Sequence, residues 1–283
     1  MRVALLGSND LAAWQARAVA AWPGGAEAVG PADVAPHDRA VLADVLARSA
    51  VLVIHGAPAD RFRLAEAAAR HGCHLLLAWP PAASIPEAEA LVRLAEEAGV
   101  EIGVQRPLRW QPALRDGPPA LRPSLVLLQQ DVPDGRPWPR LLADAVDLCT
   151  AVAGGGGVRR VEAAAVRRAA HPEAMAFTLR FLRGTLAQVS LRRGPVDRAS
   201  LYAAGPGGRL EVDFSGMQAR LAVLEARQNE DRPDALETET AALVTAEVHA
   251  FLDALAARQP APVSILEALQ TMRLVERLMQ RLR

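Results

Sequence analysis

Four short apolar runs, each separated from the next by a helix-forming stretch, dominate the first hundred residues. They are "RVALLG" (2–7), "AVLVIHGAP" (50–58), "CHLLLA" (73–78) and "VEIGVQ" (100–105). Runs without polar alternation suit strands buried on both faces, as in a parallel sheet. The intervening segments "NDLAAWQARAVAAW", "HDRAVLADVLARS", "DRFRLAEAAARHG" and "SIPEAEALVRLAEEAG" have helical composition. Their ends carry stop and start signals: Pro23-Gly24-Gly25, Gly72, and a capping box of Ser84 and Glu87 with Pro86 in the first turn. A weaker run, "AEAVG" (26–30), supplies one more strand. Strands alternating with helices predict a doubly wound parallel sheet, a Rossmann-type domain over residues 1–120.

The texture changes at the linker-like stretch Asp116–Pro123. Beyond it lie a strand, "SLVLLQQDV", a helix, "RLLADAVDLCTAVAG", and a run of glycines at 154–157. That run precedes a strand, so it lacks the helix N-terminus that cradles a phosphate and reads as a flexible connection. Long alternating segments follow, in which Met175, Phe177, Leu179 and Phe181 recur with period two. Arg183-Gly184 and Gly205–Gly208 mark turns. These features predict a C-terminal α+β domain over 121–283 with an open, mostly antiparallel sheet. The acidic "NEDRPDALETET" (229–240) reads as a surface loop, and two closing helices at about 240–283 are assigned to this second domain.

Composition narrows the function classes. Thirty-two basic residues balance 32 acidic ones, which argues against a nucleic-acid footprint. Every basic residue is arginine, so no lysine is available as proton donor, Schiff-base amine or phosphate ligand. Cys73 and Cys149 have neither metal-ligand nor disulfide-framework spacing, and no metal site is expected. No apolar run approaches the ~18 residues of a membrane span, and "MRVALLGSND" reads as strand and turn rather than signal peptide. A soluble cytoplasmic protein with a small-molecule substrate or ligand is the expectation.

The first strand ends in "GSNDLA". A dinucleotide-binding turn has the pattern G-x-G-x-x-G/A, for a tight turn, close pyrophosphate approach and helix–strand packing. Gly7 and Ala12 fit it, and Asn9 stands at the middle glycine. Asp33 is the nearest acidic residue at the distance where a ribose hydroxyl is gripped; a solvated loop aspartate is the alternative.

The stretch from Ala50 to Arg115, the hairpin "SLYAAGPGGRLEVD" and the closing "EVHAFLDALAARQPAPVSILEALQTMRLVERL" resemble the Gfo/Idh/MocA oxidoreductases, the glucose–fructose oxidoreductase and inositol dehydrogenase family. The resemblance implies an N-terminal NAD(P) domain. It also implies a C-terminal domain whose open sheet carries the substrate site and an oligomer interface, and hydride transfer on sugars, cyclitols and related carbonyls. Several family motifs are substituted. Ala78-Trp79-Pro80 stands where the family has Glu-Lys-Pro, and Arg106-Pro107-Leu108-Arg109-Trp110 where it has His-Asn-x-Arg-Phe. Gly56-Ala57-Pro58 replaces Thr-Pro-Pro or Thr-Pro-Asn. In "RLLADAVD", Arg140 and Asp144 stand at the family's first aspartate and histidine, and Asp147 matches its last aspartate.

By this resemblance an NAD or NADP cofactor would contact Gly7, Ser8, Asn9, Asp10, Leu11, Ala12, Asp33, His55, Gly56, Ala57, Pro58, Trp79 and Arg109. Asp144, Arg140 and Asp147 are the candidates for catalysis. Asp144 serves as a proton carrier only if burial raises its pKa; an i, i+4 pair with Arg140 would keep it ionised. His55, at a strand end, reads as a ligand contact or a satisfied structural histidine, and Trp79 as a stacking residue or a pocket filler. Some members of the family use a tyrosine as acid; the one tyrosine here, Tyr202, lies in the hairpin and reads as a packing or interface residue, with that acid as the alternative. Three function classes follow: an oxidoreductase with substituted acid/base groups, a catalytically inactive relative serving as a binding or oligomeric scaffold, or a regulator that binds a small molecule in the interdomain cleft. The expected partners are a small molecule and further copies of the chain through the C-terminal sheet.

Overall fold

The computed structural model describes residues 1–7, 10–32, 39–115, 121–168, 171–215, 218–224, 233–236 and 240–282. The chain divides into two compact units, Met1–Pro107 with Ala241–Met272, and Leu108–Thr240 with Arg273–Arg283.

The first unit holds a five-stranded, all-parallel sheet of β1 (Arg2–Leu6), β2 (Glu27–Ala32), β3 (Val51–Ile54), β4 (His74–Leu77) and β5 (Ile102–Val104), in the order β2-β1-β3-β4-β5. Strand alternation divides its side chains between two cores. Ala4, Leu6, Leu52, Ile54, Leu75 and Leu77 pack with residues of α2 (Arg39–Arg48), α3 (Pro58–Arg70) and α4 (Ile85–Ala98). Val3, Leu5, Val51, Val53 and Leu76 pack with α1 (Asp10–Ala20) and α7 (Thr240–Ala256). The capping box starts α4 as expected: Glu87 N–H donates to Ser84 Oγ at 3.4 Å, and Gly99 ends the helix at φ +63°.

The assignment of the closing helices to the second domain is corrected for Ala241–Met272, and the boundary expected at residue 120 falls after Pro107, whereas Arg273–Arg283 belongs to the second unit as expected. One face of the parallel sheet has only α1 to cover it from residues 1–107, and α7 completes that cover with Val244, Val248, Phe251 and Leu252. The Phe251 ring lies so near Gly103 in β5 that a Cβ there would sit 2.9 Å from it. Trp22 Nε1–H donates to Asp253 Oδ1 at 2.8 Å, tying the end of the α1 segment to α7.

The second unit carries an eight-stranded sheet. Its strands are β6 (Leu125–Val132), β7 (Val158–Arg168), β8 (His171–Phe181), β9 (Leu186–Arg193), β10 (Arg198–Gly205), β11 (Gly208–Ser215), β12 (Gln218–Leu224) and β13 (Pro233–Leu236). The order is β13-β12-β11-β10-β6-β9-β8-β7, and only β6·β9 is parallel. Met175, Phe177, Leu179 and Phe181 are all buried on one face, as their period of two demands. A single helical turn, α5 (Pro112–Arg115), precedes β6, and helix α6 (Trp138–Val152) contacts β6 and β9 and buries Leu141, Leu142, Val146 and Cys149. Part of the acidic segment read as a loop is strand β13, hydrogen-bonded to β12. A strand at a sheet edge needs no apolar alternation to be held by its neighbour's backbone.

Candidate functional site

In an open parallel sheet, ligands bind at the carboxyl ends of the strands where the order reverses, here between β1 and β3. Gly7 ends β1 with φ +119°, and His55 and Gly56 follow β3, Gly56 at φ +90°. His55 N–H donates to Leu6 O at 2.9 Å, which draws the two strand ends together. A Cβ on Gly7 would lie 2.8 Å from His55 Cβ, so this crossing admits only glycine at position 7. A Cβ on Gly56 would meet nothing within 4 Å. Leu11 is half-buried and Ala12 fully buried in the first turn of α1, where Ala12 permits helix-on-strand packing. Ser8, Asn9 and Asp33 lie outside the described residues, and so does the side chain of Asp10.

His55 is 4% exposed, and its Nε2 meets Gln15 Oε1 at 2.5 Å. Donation to the amide oxygen places the proton on Nε2. Burial, then the nearby Arg61 cation, lowers the His55 pKa to about 4, so the imidazole is neutral at pH 7. Arg61, also buried, donates to Gly56 O at 2.5 Å and to the carbonyl of Pro80. It therefore joins the loops after β3 and β4. Neither Gln15 nor Arg61 was singled out from the sequence. Each is one polar residue in an alanine-rich helix, and its partner is distant in sequence or is a backbone carbonyl.

Ala57 and Pro58 open α3 with no side-chain cap. Trp79 follows β4 and packs against the core of the first unit. The Arg106 guanidinium stacks on it, 3.4 Å from the ring centroid. Arg106 is 3% exposed, and its backbone N–H donates to the buried carboxylate of Glu247 on α7. Thus Trp79 and Arg106, at the positions where the resemblance puts lysine and histidine, meet each other.

The second unit contains the remaining candidates. Arg109, in the 3₁₀ turn Pro107–Trp110, grips Asp147 of α6 with two hydrogen bonds, Nε to Oδ2 at 2.9 Å and a terminal nitrogen to Oδ1 at 2.7 Å. The Asp147 side chain is 4% exposed and that of Arg109 12%. Bidentate geometry of this kind fixes both side chains in orientation. Arg140 and Asp144 form the i, i+4 pair expected of them, at 3.1 Å. Tyr202 is half-buried in β10. Among the described residues no group of three or more His, Cys, Asp or Glu side chains could hold a metal ion, and no helix is long and apolar enough to cross a membrane.

No family model matches the chain, and no curated protein does. Solved structures do. UDP-N-acetylglucosamine 3-dehydrogenase GnnA from Acidithiobacillus ferrooxidans superposes with a TM-score of 0.79 at 18% identity, over 100% of this chain and 97% of that one. The chain has the Gfo/Idh/MocA fold. Scyllo-inositol dehydrogenase from Lactobacillus casei, solved with NAD(H) and scyllo-inositol, gives 0.72 at 13% identity over 100% and 96%. Biliverdin reductase from Synechocystis sp., solved with biliverdin and NADP+, gives 0.70 at 17% over 99% and 98%. A cyclitol and a tetrapyrrole on one architecture show that the Gfo/Idh/MocA fold does not by itself select a substrate.

Proposed function

We propose that this chain is a cytoplasmic NAD(P)-dependent oxidoreductase of the Gfo/Idh/MocA type, acting on a sugar, cyclitol or related carbonyl. The observation that carries the reading is the glycine-only crossing of Gly7 and His55 at the switch point of the parallel sheet. The residues present fit a dinucleotide there: Gly7 presents bare backbone and Gly56 opens on free space. The Gly7–Ala12 turn would hold the pyrophosphate at the N-terminus of α1. His55, Gly56, Ala57, Pro58 and Trp79 would line the nicotinamide side. A bound nicotinamide supplies or accepts a hydride. The chain must then move a hydroxyl proton; Asp144 is the candidate, and its pair with Arg140 favours the carboxylate, the form that accepts a proton from an alcohol. Asp147 orients Arg109 through their paired hydrogen bonds.

A second reading, a non-catalytic binding or oligomeric scaffold, is favoured by the Trp79–Arg106 stack, which puts an aromatic ring where a proton carrier would stand. Calorimetric titration with NAD(H) and NADP(H), followed by a sugar and cyclitol turnover screen with Asp144→Asn as control, separates the two. Micromolar binding with Asp144-dependent turnover supports the oxidoreductase. Binding without turnover supports the scaffold, and no binding at millimolar dinucleotide refutes the oxidoreductase and leaves the scaffold or a binder of another ligand.

The open sheet face is assigned to a second copy of the chain. Its central cross-strand row, Ser200, Gln129, Ser190 and Ala176, is uncharged, and all but Gln129 are small. Light scattering that returns a monomer mass overturns this assignment.

A further inference from the structure

Two of the loops assigned to the nicotinamide side share one side chain, Arg61. It lies in the first turn of α3 and is 4% exposed. Neither place suits a cation. The N-terminus of a helix is its positive pole, and burial strips a guanidinium of water. One terminal nitrogen donates to Gly56 O at 2.5 Å and the other to Pro80 O. The fork thus closes on one carbonyl from the loop after β3 and one from the loop after β4.

Each carbonyl belongs to a residue with little else to hold it. Gly56 sits at φ +90°, glycine has the widest backbone freedom, and a Cβ there would meet nothing within 4 Å. Pro80 has no N–H, so the carbonyl is its one backbone hydrogen-bonding group. In the loop of residues 78–84, Ala78 N–H donates to Ile54 O at 3.1 Å and Ala83 N–H to Glu87 Oε2 at 2.9 Å. Arg61 holds the stretch between those two anchors, beside Trp79 and its stack on Arg106.

We infer that Arg61 is a positioning residue for the cofactor, and this role rests on the dinucleotide reading of the switch point. Its fork sets the spacing of Gly56 and Trp79, and with it the affinity for the nicotinamide end of the dinucleotide. Small errors of placement are costly where two walls must close on one ring. Lysine cannot take over the role. An ammonium is a single point of donors, whereas a guanidinium presents its N–H groups in a rigid planar fork.

The test is calorimetry of the full chain with NADH and NADPH, on the parent, Arg61→Lys, Arg61→Met and Arg70→Gln, an exposed change at the far end of α3. Amide exchange of the same proteins, read by mass spectrometry, reports the loops separately from the sheet. A loss of affinity of about tenfold or more is expected in both position-61 variants and none in Arg70→Gln. Faster exchange should be confined to residues 55–57 and 78–84. If Arg61→Met does not fold, Arg61→Lys, which keeps the charge and the apolar stem, carries the comparison alone. Parent-like affinity in Arg61→Lys overturns the fork. Exchange that rises evenly through the first unit, or loss of folding in both variants, makes Arg61 a general stabiliser and overturns the role as well. A parent that binds neither dinucleotide at millimolar concentration refutes the dinucleotide reading and this role together. A parent that binds, with variants that bind equally well, refutes this role alone.

Discussion

Replacing Gly7 by alanine should destabilise the first unit by an amount that divides into two parts with different cures. The new methyl group would sit 2.8 Å from His55 Cβ, an atom fixed to its own backbone that cannot rotate away. Overpacking of that kind costs about 1–3 kcal/mol. The backbone at φ +119° adds strain for any L-residue with a Cβ, on the order of 1–2 kcal/mol. The sum is about 2–5 kcal/mol, read as a fall in the urea midpoint of the first unit's transition. His55→Gly removes the opposing Cβ and should return only the overpacking part. The double-mutant cycle over Gly7→Ala and His55→Gly should therefore show a coupling of about 1–3 kcal/mol in the rescuing direction. The strain at position 7 remains. A Gly7→Ala variant within about 0.5 kcal/mol of the parent, or a cycle that closes additively, would refute the close crossing of β1 and β3.

Three further outcomes follow from other contacts. His55 is neutral in the fold with its pKa near 4, against 6.5 when free, so the unfolded chain binds more protons between those values. Stability should therefore fall as pH drops from 6.5 towards 4, by about 3 kcal/mol from this residue, and urea midpoints of His55→Asn should show a correspondingly flatter pH profile. Asp147→Asn removes the carboxylate charge that faces the nearly buried Arg109 and should cost about 3–5 kcal/mol. By contrast Asp144→Asn breaks a more exposed helix pair and should cost under about 1 kcal/mol; equal losses in equilibrium unfolding would contradict the geometry. Gly103→Ala should clash with the Phe251 ring and cost about 1–3 kcal/mol, with Phe251→Leu restoring part of it in calorimetric melting.

What the sequence made legible was local. The Ser84–Glu87 cap, Gly72 at positive φ after α3 and the Arg140–Asp144 pair are all local features, so the nearby sequence alone specifies them. The period of two in β8 likewise predicted its buried face. The grip of Arg109 on Asp147 spans 38 residues, and nothing in either neighbourhood announces it. The allegiance of α7 was hidden for a related reason. An apolar helix face requires burial but does not say against which sheet. At the site, the glycine at position 7 was legible as a turn. The roles of Gln15, Arg61 and Glu247 emerge only when a buried polar atom must find a partner in space.

The parallel pairing of β6 with β9 bears on the order in which the second sheet assembles. Strands β7, β8 and β9 form one sequence-local ribbon, and β10, β11 and β12 another. Strand β6 precedes both and lies between them, paired to β9 from Leu125↔Leu186 onward and to β10 from Leu125↔Ala204. Each ribbon closes short loops, whereas β6 closes loops of some sixty to eighty residues. Such non-local pairings form late, so β6 is the keystone of the sheet. Until it is seated, the inward edges of β9 and β10 stay open to strands of other chains, and the chain is most prone to aggregate in that interval.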